Sequence, residues 1–112
     1  MANVYKNTGI NLTTTAKTDV YTVPTNRTTI IKTIQTTNHG GSNVDTIGYF
    51  YDSSDTTEYE IAHHTLSSKA SINFIDGTLV LESGDILRLE ASTANSIAGV
   101  VSYLEIFDEK SA

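Results

Sequence analysis

The chain has 112 residues, 13 acidic against 7 basic side chains, a formal charge of −6 and no cysteine. This length fits one domain with a single core. The lack of cysteine excludes disulfides and thiolate metal sites and favours synthesis in a reducing cytoplasm. The cationic side chains are scattered, which argues against direct nucleic-acid binding, because phosphate contacts need a basic patch. No apolar run is long enough to predict a membrane span or a signal peptide.

The N-terminal third predicts an arm followed by extended segments. Residues 1–18 are either a polar arm or a first strand, with residues 10–15 as the candidate strand. Residues 19–23 read as a short strand that ends at Pro24, because proline cannot donate to a β ladder. Residues 28–37 are rich in β-branched side chains and predict a long strand, although their poor alternation leaves the buried face open.

Two further strands are predicted on either side of an Asp-Ser turn. Residues 44–51 alternate and place Tyr49 and Tyr51 on one face. Residues 58–64 alternate as well, so His63 is expected to share a face with Tyr59 and Ile61 and to lie opposite Glu58, Glu60 and His64.

Glycine turns divide the C-terminal half. Asp76-Gly77 is typical of a hairpin turn. Residues 79–89 read as strand, tight turn, strand around Ser83-Gly84-Asp85, where glycine can take a positive φ. Residues 96–107 form the predicted last strand.

The pattern as a whole gives eight or nine short strands with regularly spaced turns and no helical period. It predicts an all-β, single-domain antiparallel β-sandwich with a jelly-roll-like or Greek-key-like order. We place the sandwich core at residues 19–107 and a C-terminal tail at residues 108–112.

The last strand is apolar on both faces. One face carries Ala98, Val100, Leu104 and Ile106. The other carries Ile97, Val101 and Tyr103. A sandwich strand normally has one wet face, so either a subunit interface or a folded-over N-terminal arm is expected to cover the outer one. We take the second set as the oligomer interface.

Reaction chemistry is not indicated by any motif. His63 and His64 are neighbours on a strand and point to opposite faces, and with His39 they match no zinc spacing. The acidic turn at residues 52–58 lacks the glycine and closing glutamate of an EF-hand. There is no nucleophile elbow or phosphate-binding loop. The sequence therefore predicts a protein that is not an enzyme and needs no metal or cofactor.

Four segments carry a resemblance to a known group of proteins. They are Asp-Val-Tyr-Thr-Val-Pro at 19–24, Thr-Ile-Ile-Lys-Thr-Ile at 29–34, Leu-Val-Leu-Glu-Ser-Gly-Asp-Ile-Leu at 79–87 and Val-Ser-Tyr-Leu-Glu-Ile at 101–106. Together they resemble the small β-sandwich structural proteins of tailed bacteriophages, many of them from marine and cyanobacterial phages. The resemblance spans residues 19–106 and departs from that group after Pro24, where Thr25-Asn26 replaces a small residue and glycine.

The resemblance implies a virion component without catalytic residues. Similar sandwiches serve as capsid decoration or cement proteins, usually as trimers, which implies a homotrimer that bridges major capsid proteins on the outer surface of the head. Synthesis would then take place in the cytoplasm of the bacterial host. The expected capsid-contacting arm consists of Val4, Tyr5 and Lys6.

The alternative is a neck or tail adaptor, or a tail-fibre module that binds a receptor or a carbohydrate. Tyrosine supplies rigid apolar area with a polar tip, which suits sugar binding. The candidate receptor surface consists of Tyr49, Tyr51, Asp52 and His63.

Overall fold

The structure, a computed structural model, describes residues 3–107. Those residues form two antiparallel sheets, which confirms the predicted all-β sandwich. The predicted tail at 108–112 and the first two residues of the predicted arm lie outside the described residues. The strands are β1 (Asn3–Leu12), β2 (Thr18–Thr22), β3 (Arg27–Asn38), β4 (Val44–Asp52), β5 (Thr57–Leu66), β6 (Ser71–Asn73), β7 (Leu79–Leu81), β8 (Ile86–Ala91) and β9 (Ile97–Phe107).

The strands divide into two sheets in an interleaved order. Sheet A runs β1-β9-β3-β6, with β7 pairing β3 alongside β6. Sheet B runs β2-β8-β4-β5. The chain therefore crosses from one sheet to the other repeatedly, so that the two layers enclose one core. Apolar side chains from both sheets fill it, among them Leu12, Ile31, Ile34, Phe74, Leu81, Leu87, Leu89 and Val101.

The N-terminal segment is an edge strand of sheet A. β1 pairs with β9 over its whole length, from Asn3 opposite Ile106 to Leu12 opposite Ile97. Burial of Leu12 in the core, where it is 1 % exposed, fixes the register of this edge.

The two glycine turns connect strands that do not pair with each other. Gly77 and Gly84 both have φ of 86°, so the predicted positive φ at Gly84 is confirmed. The hairpin predicted at Asp76-Gly77 is wrong, because β6 and β7 both pair with β3. The turn at 83–85 joins β7 in sheet A to β8 in sheet B. Buried Asp85 fixes it by accepting hydrogen bonds from the Glu82 N–H at 2.8 Å and the Ser53 N–H at 3.0 Å.

Two β-bulges determine which side chains of β3 and β5 point inward, and the alternation of the sequence does not indicate them. A register shift between Ile31 and Thr33 of β3 turns Ile31 and Ile34 inward and leaves Lys32 exposed. This answers the question of which side chains of β3 are buried, which the sequence left undecided. A second shift, at Gly48/Tyr49 against β5, pairs Glu60 with Tyr49 and His63 with Ile47. His63 therefore shares the outer face with Glu58 and Glu60, and the grouping of His63 with Tyr59 is wrong.

The predicted oligomer interface on β9 is also wrong. Ile97 and Val101 are 0 % exposed and Tyr103 is 5 % exposed within a single chain. The Tyr103 ring lies 4.3 Å from the Tyr21 ring, and its hydroxyl is 2.8 Å from that of Thr8. Side chains already packed between the two sheets cannot also contact another subunit. The outward side chains of β9 are those of the opposite parity.

Candidate interaction surfaces

Four apolar side chains form a straight row across the outer surface of sheet A. The register places Tyr5 of β1 opposite Leu104 of β9, Leu104 opposite Ile30 of β3, and Ile30 opposite Val80 of β7. Directly opposite residues of antiparallel strands share a face. Tyr5 is 76 % exposed and Val80 is 56 % exposed, whereas the two central side chains are half-buried. The row therefore presents apolar area to solvent.

The surface around this row is uncharged except at one position. We call it the neutral face and define it as the outward residues of sheet A. They are Asn3, Tyr5, Asn7, Gly9 and Asn11 of β1, Thr28, Ile30, Lys32, Thr33, Gln35 and Thr37 of β3, Ser71 and Asn73 of β6, Val80 of β7, and Ala98, Val100, Ser102, Leu104 and Ile106 of β9. Among these described positions no carboxylate occurs, and Lys32 at the bulge is the single cation.

Sheet B presents the opposite kind of outer surface. We call its outward side the acidic face. Its charged side chains are Asp19, Asp45, Glu58, Glu60, Glu90 and Arg88. The two sheets thus segregate charge: sheet A faces outward with amides, hydroxyls and apolar groups, and sheet B faces outward with carboxylates.

Ion pairs organise the acidic face. The Arg88 guanidinium lies 2.7 Å from the Asp19 carboxylate and 2.9 Å from that of Glu58. Lys17 adds a contact of 2.5 Å to Glu58. Hydrogen bonds from Lys17 and Arg88 lower the pKa of Glu58 below its ordinary value. These contacts fix strands from both edges of sheet B to one another.

The candidate receptor surface is partly engaged in the same network. Lys17 lies 4.2 Å from the centre of the Tyr49 ring, and Arg88 lies 4.9 Å from that of Tyr51. The Tyr49 hydroxyl donates to Glu90 at 2.6 Å, and this hydrogen bond, with burial, raises the pKa of Tyr49 to about 12.

His63 and Asp52, the other two members of the candidate receptor surface, lie on different faces of sheet B. His63 shares the face of Tyr49 and Tyr51, because it pairs with Ile47. Asp52 does not join them, because it follows Tyr51 in β4 and points to the opposite face. Its carboxylate accepts hydrogen bonds from the Ser54 backbone and hydroxyl at 3.2 and 2.8 Å. The structure therefore brings three of the four residues onto one face.

The predicted arm residues are divided between two surfaces. Tyr5 points outward on the neutral face, whereas Val4 and Lys6 have the opposite parity. The Lys6 ammonium lies 3.2 Å from the Glu105 carboxylate at the end of the core. Tyr5 is thus the member of this triple that is open to a contact on the neutral face.

A buried carboxylate at one end of the sandwich was not predicted. Glu105 is 2 % exposed and accepts hydrogen bonds from the Tyr21 hydroxyl at 2.6 Å and from Arg27 at 2.9 Å. Burial alone would raise the pKa of Glu105, but the bonds from Tyr21, Lys6 and Arg27 outweigh it and lower that pKa. Burial, with the bond to Glu105, raises the pKa of Tyr21. These partners are far apart in the chain, so no local motif signals the cluster.

His63 and His64 lie on opposite sides of β5. His64 Nε2 lies 3.2 Å from the Phe74 carbonyl oxygen, and His63 Nδ1 lies 3.7 Å from Glu60 on the outer face. Both line a groove of about 680 Å³ between β5 and the β6–β7 segment. Within residues 3–107, no group of three or more side chains is arranged to hold a metal ion. No helix in this range could span a membrane.

No protein-family model matches the chain, and no curated protein matches its sequence. Solved structures do share its fold. Eiger TNF from S. frugiperda aligns with a TM-score of 0.53 at 9 % identity, over 95 % of this chain and 94 % of that one. A pentameric capsid protein isolated from metagenomic phage sequences aligns with a TM-score of 0.51 at 15 % identity, over 95 % of this chain and 64 % of that one.

A second structure of a pentameric capsid protein from metagenomic phage sequences gives a TM-score of 0.51 at 15 % identity, over 95 % of this chain and 62 % of that one. The present chain therefore spans less than two thirds of the length of these capsid proteins. The shared architecture is a sandwich of two antiparallel β-sheets. At such low identity the likeness defines the fold alone, and one fold hosts many functions.

Proposed function

We propose that the chain is a non-catalytic structural subunit of a virion. The observation that carries this proposal is the neutral face, an exposed apolar row with polar surroundings on a fold shared with a phage capsid protein. Solvent-facing apolar patches rimmed by polar residues mark contact sites between proteins. Depletion of charge is also typical of the centre of such contacts.

Within the virion, the role we propose is capsid decoration, with the chain bound as a homo-oligomer to the major capsid protein on the outer surface of the head. Two features support it. The two packed sheets make a rigid module, and the acidic face provides a charged surface that keeps the protein soluble. Small contacts that symmetry repeats many times can add up to a strong hold on the shell.

Copy number separates decoration from the other virion positions. We would purify particles that contain the protein and measure its copies by quantitative mass spectrometry, normalised to the major capsid protein of the same digest. Decoration of an icosahedral head requires on the order of hundreds of copies, whereas neck and tail positions hold on the order of a dozen. A count near a dozen would reject decoration in favour of the axial or receptor-binding alternative. Absence from purified particles would reject the virion role.

A further inference from the structure

We infer that the neutral face binds the neutral face of a second copy of this chain, so that two sandwiches pack with sheet A against sheet A. This inference rests on the proposed structural role and names the partner that covers the apolar row. The row makes no contribution to the subunit's own core, since Tyr5 and Val80 are 76 % and 56 % exposed.

Charge decides in favour of a second copy. The chain carries a formal charge of −6, and the acidic face concentrates carboxylates on the outer side of sheet B. Copies that met through their acidic faces would oppose like charges, which disfavours that contact. Contact through the two neutral faces instead keeps both sets of carboxylates in water and on opposite sides of the pair. A strongly basic partner would be attracted to the acidic face, not to this one.

The size of the face fits a stable pair. The three long strands β1, β9 and β3, about 4.8 Å apart, give a combined width of about 14 Å over a length of about 34 Å, and the three residues of β6 and of β7 add roughly 100 Å². The face therefore offers roughly 590 Å², and two copies bury roughly 1,200 Å², at the lower end of the range of specific interfaces. Face-to-face sheets pack about 10 Å apart with interdigitating side chains. Gly9 leaves open space above β1 where a side chain of the second copy can insert.

The first test places carboxylates on the neutral face. The double variant Tyr5→Asp/Val80→Asp changes two exposed side chains, and Thr22→Asp/Asn43→Asp adds the same charge at exposed positions elsewhere. Sedimentation velocity and light scattering would give the mass of each, with circular dichroism as the check on folding. We expect an even-numbered assembly for the wild type and the control pair. The neutral-face variant should show half that mass and a dissociation constant raised at least about 100-fold, because like charges would meet in the interface.

A tryptophan reporter tests the same contact without disrupting it. The chain has no tryptophan, so Tyr5→Trp introduces a single tryptophan, which can be excited selectively, at one end of the row. Its emission should shift to the blue as concentration rises through the dissociation range. The control Tyr59→Trp, on β5 at a position 45 % exposed, should not shift. An unchanged Tyr5→Trp emission would overturn the inference.

The mass measurement can also overturn it. A monomeric wild type, an odd-numbered ring, or an assembly whose mass the neutral-face variant leaves unchanged would each do so. These failures differ from failure of the proposed function. A chain that pairs through this face but is absent from particles refutes only the virion role. A chain present in hundreds of copies that never self-associates refutes only the pairing.

Discussion

Replacing Glu105 by glutamine should destabilise the fold strongly. The carboxylate is 2 % exposed and is held by the Tyr21 hydroxyl at 2.6 Å, Arg27 at 2.9 Å and Lys6 at 3.2 Å. Hydrogen bonds to a charged group contribute about 1.5–3 kcal/mol each, and breaking a buried ion pair costs about 3–5 kcal/mol. Arg27 and Lys6 keep 27 % and 44 % of their side chains exposed, so water recovers part of this loss.

We therefore expect Glu105→Gln to lower the free energy of unfolding by about 3 kcal/mol at neutral pH. For a domain of this size, that corresponds to a fall in Tm of roughly 10–15 °C. Urea denaturation followed by circular dichroism measures the first quantity, and a thermal scan measures the second. The control is Glu82→Gln, which removes the same charge at an exposed position and should change stability by less than about 0.5 kcal/mol.

The same variant should change the pH dependence of stability. The pKa of Glu105 is lower in the folded chain than its ordinary value, so the unfolded chain binds this proton more tightly. The stabilisation is therefore present above the unfolded carboxyl pKa of about 4.3 and is lost as the pH falls through the lower, folded value. The difference in the free energy of unfolding between wild type and Glu105→Gln should narrow as the pH falls below about 5. This account would be refuted if the two free energies of unfolding differed by less than about 1 kcal/mol at neutral pH, or if their difference stayed constant through the acid range.

Three other predictions follow from single contacts. Gly99→Ala should cost about 4 kcal/mol or more, seen as lost soluble expression or a lower urea midpoint, because its Cβ would overlap the backbone carbonyl of Gln35 in the adjacent strand. Gly84→Ala should cost about 1–2 kcal/mol in the same assay, because φ is 86° at this position. The difference titration of wild type against Tyr49→Phe should show a phenol with a pKa of about 12, and Glu90→Gln should bring that pKa down towards 10; a Tyr49 phenol that titrates normally in the wild type would contradict the hydrogen bond.

The strands and turns could be predicted because their signals are local. β-Branched and apolar residues between turn signals mark most strands within a few residues, and the positive φ at Gly84 depends only on the turn that contains it. The pairing of strands does not follow from such signals. The turn at Asp76-Gly77 does not join two strands that pair with each other, because β3 is long enough to pair with both β6 and β7 at different points along one edge. No signal within residues 71–81 indicates that β6 and β7 both pair with β3.

The bulges explain why face assignment failed at particular residues. A single extra residue shifts the parity of all that follows it. The bulge next to the Tyr49–Glu60 pair therefore places Glu58 on the same face as His63. The residues of β5 alternate in sequence and give no sign of this bulge. Such a bulge depends on the geometry of the neighbouring strand, which one strand's sequence does not contain.

The last strand, β9, places a charged side chain inward and apolar side chains outward. In β9 the polar Glu105 points inward with Tyr103, while Leu104 and Ile106 point outward. The sequence of β9 does not show which of its two apolar sets faces inward, because the Glu105 carboxylate finds its partners only when Tyr21 and the basic side chains come together from other strands. At this end of β9 a carboxylate is therefore buried while two apolar side chains face outward. We infer that this inversion is tolerated because the outer side of β9 is itself covered when two copies meet, and this makes the sign of the Tyr5→Asp/Val80→Asp effect the decisive observation.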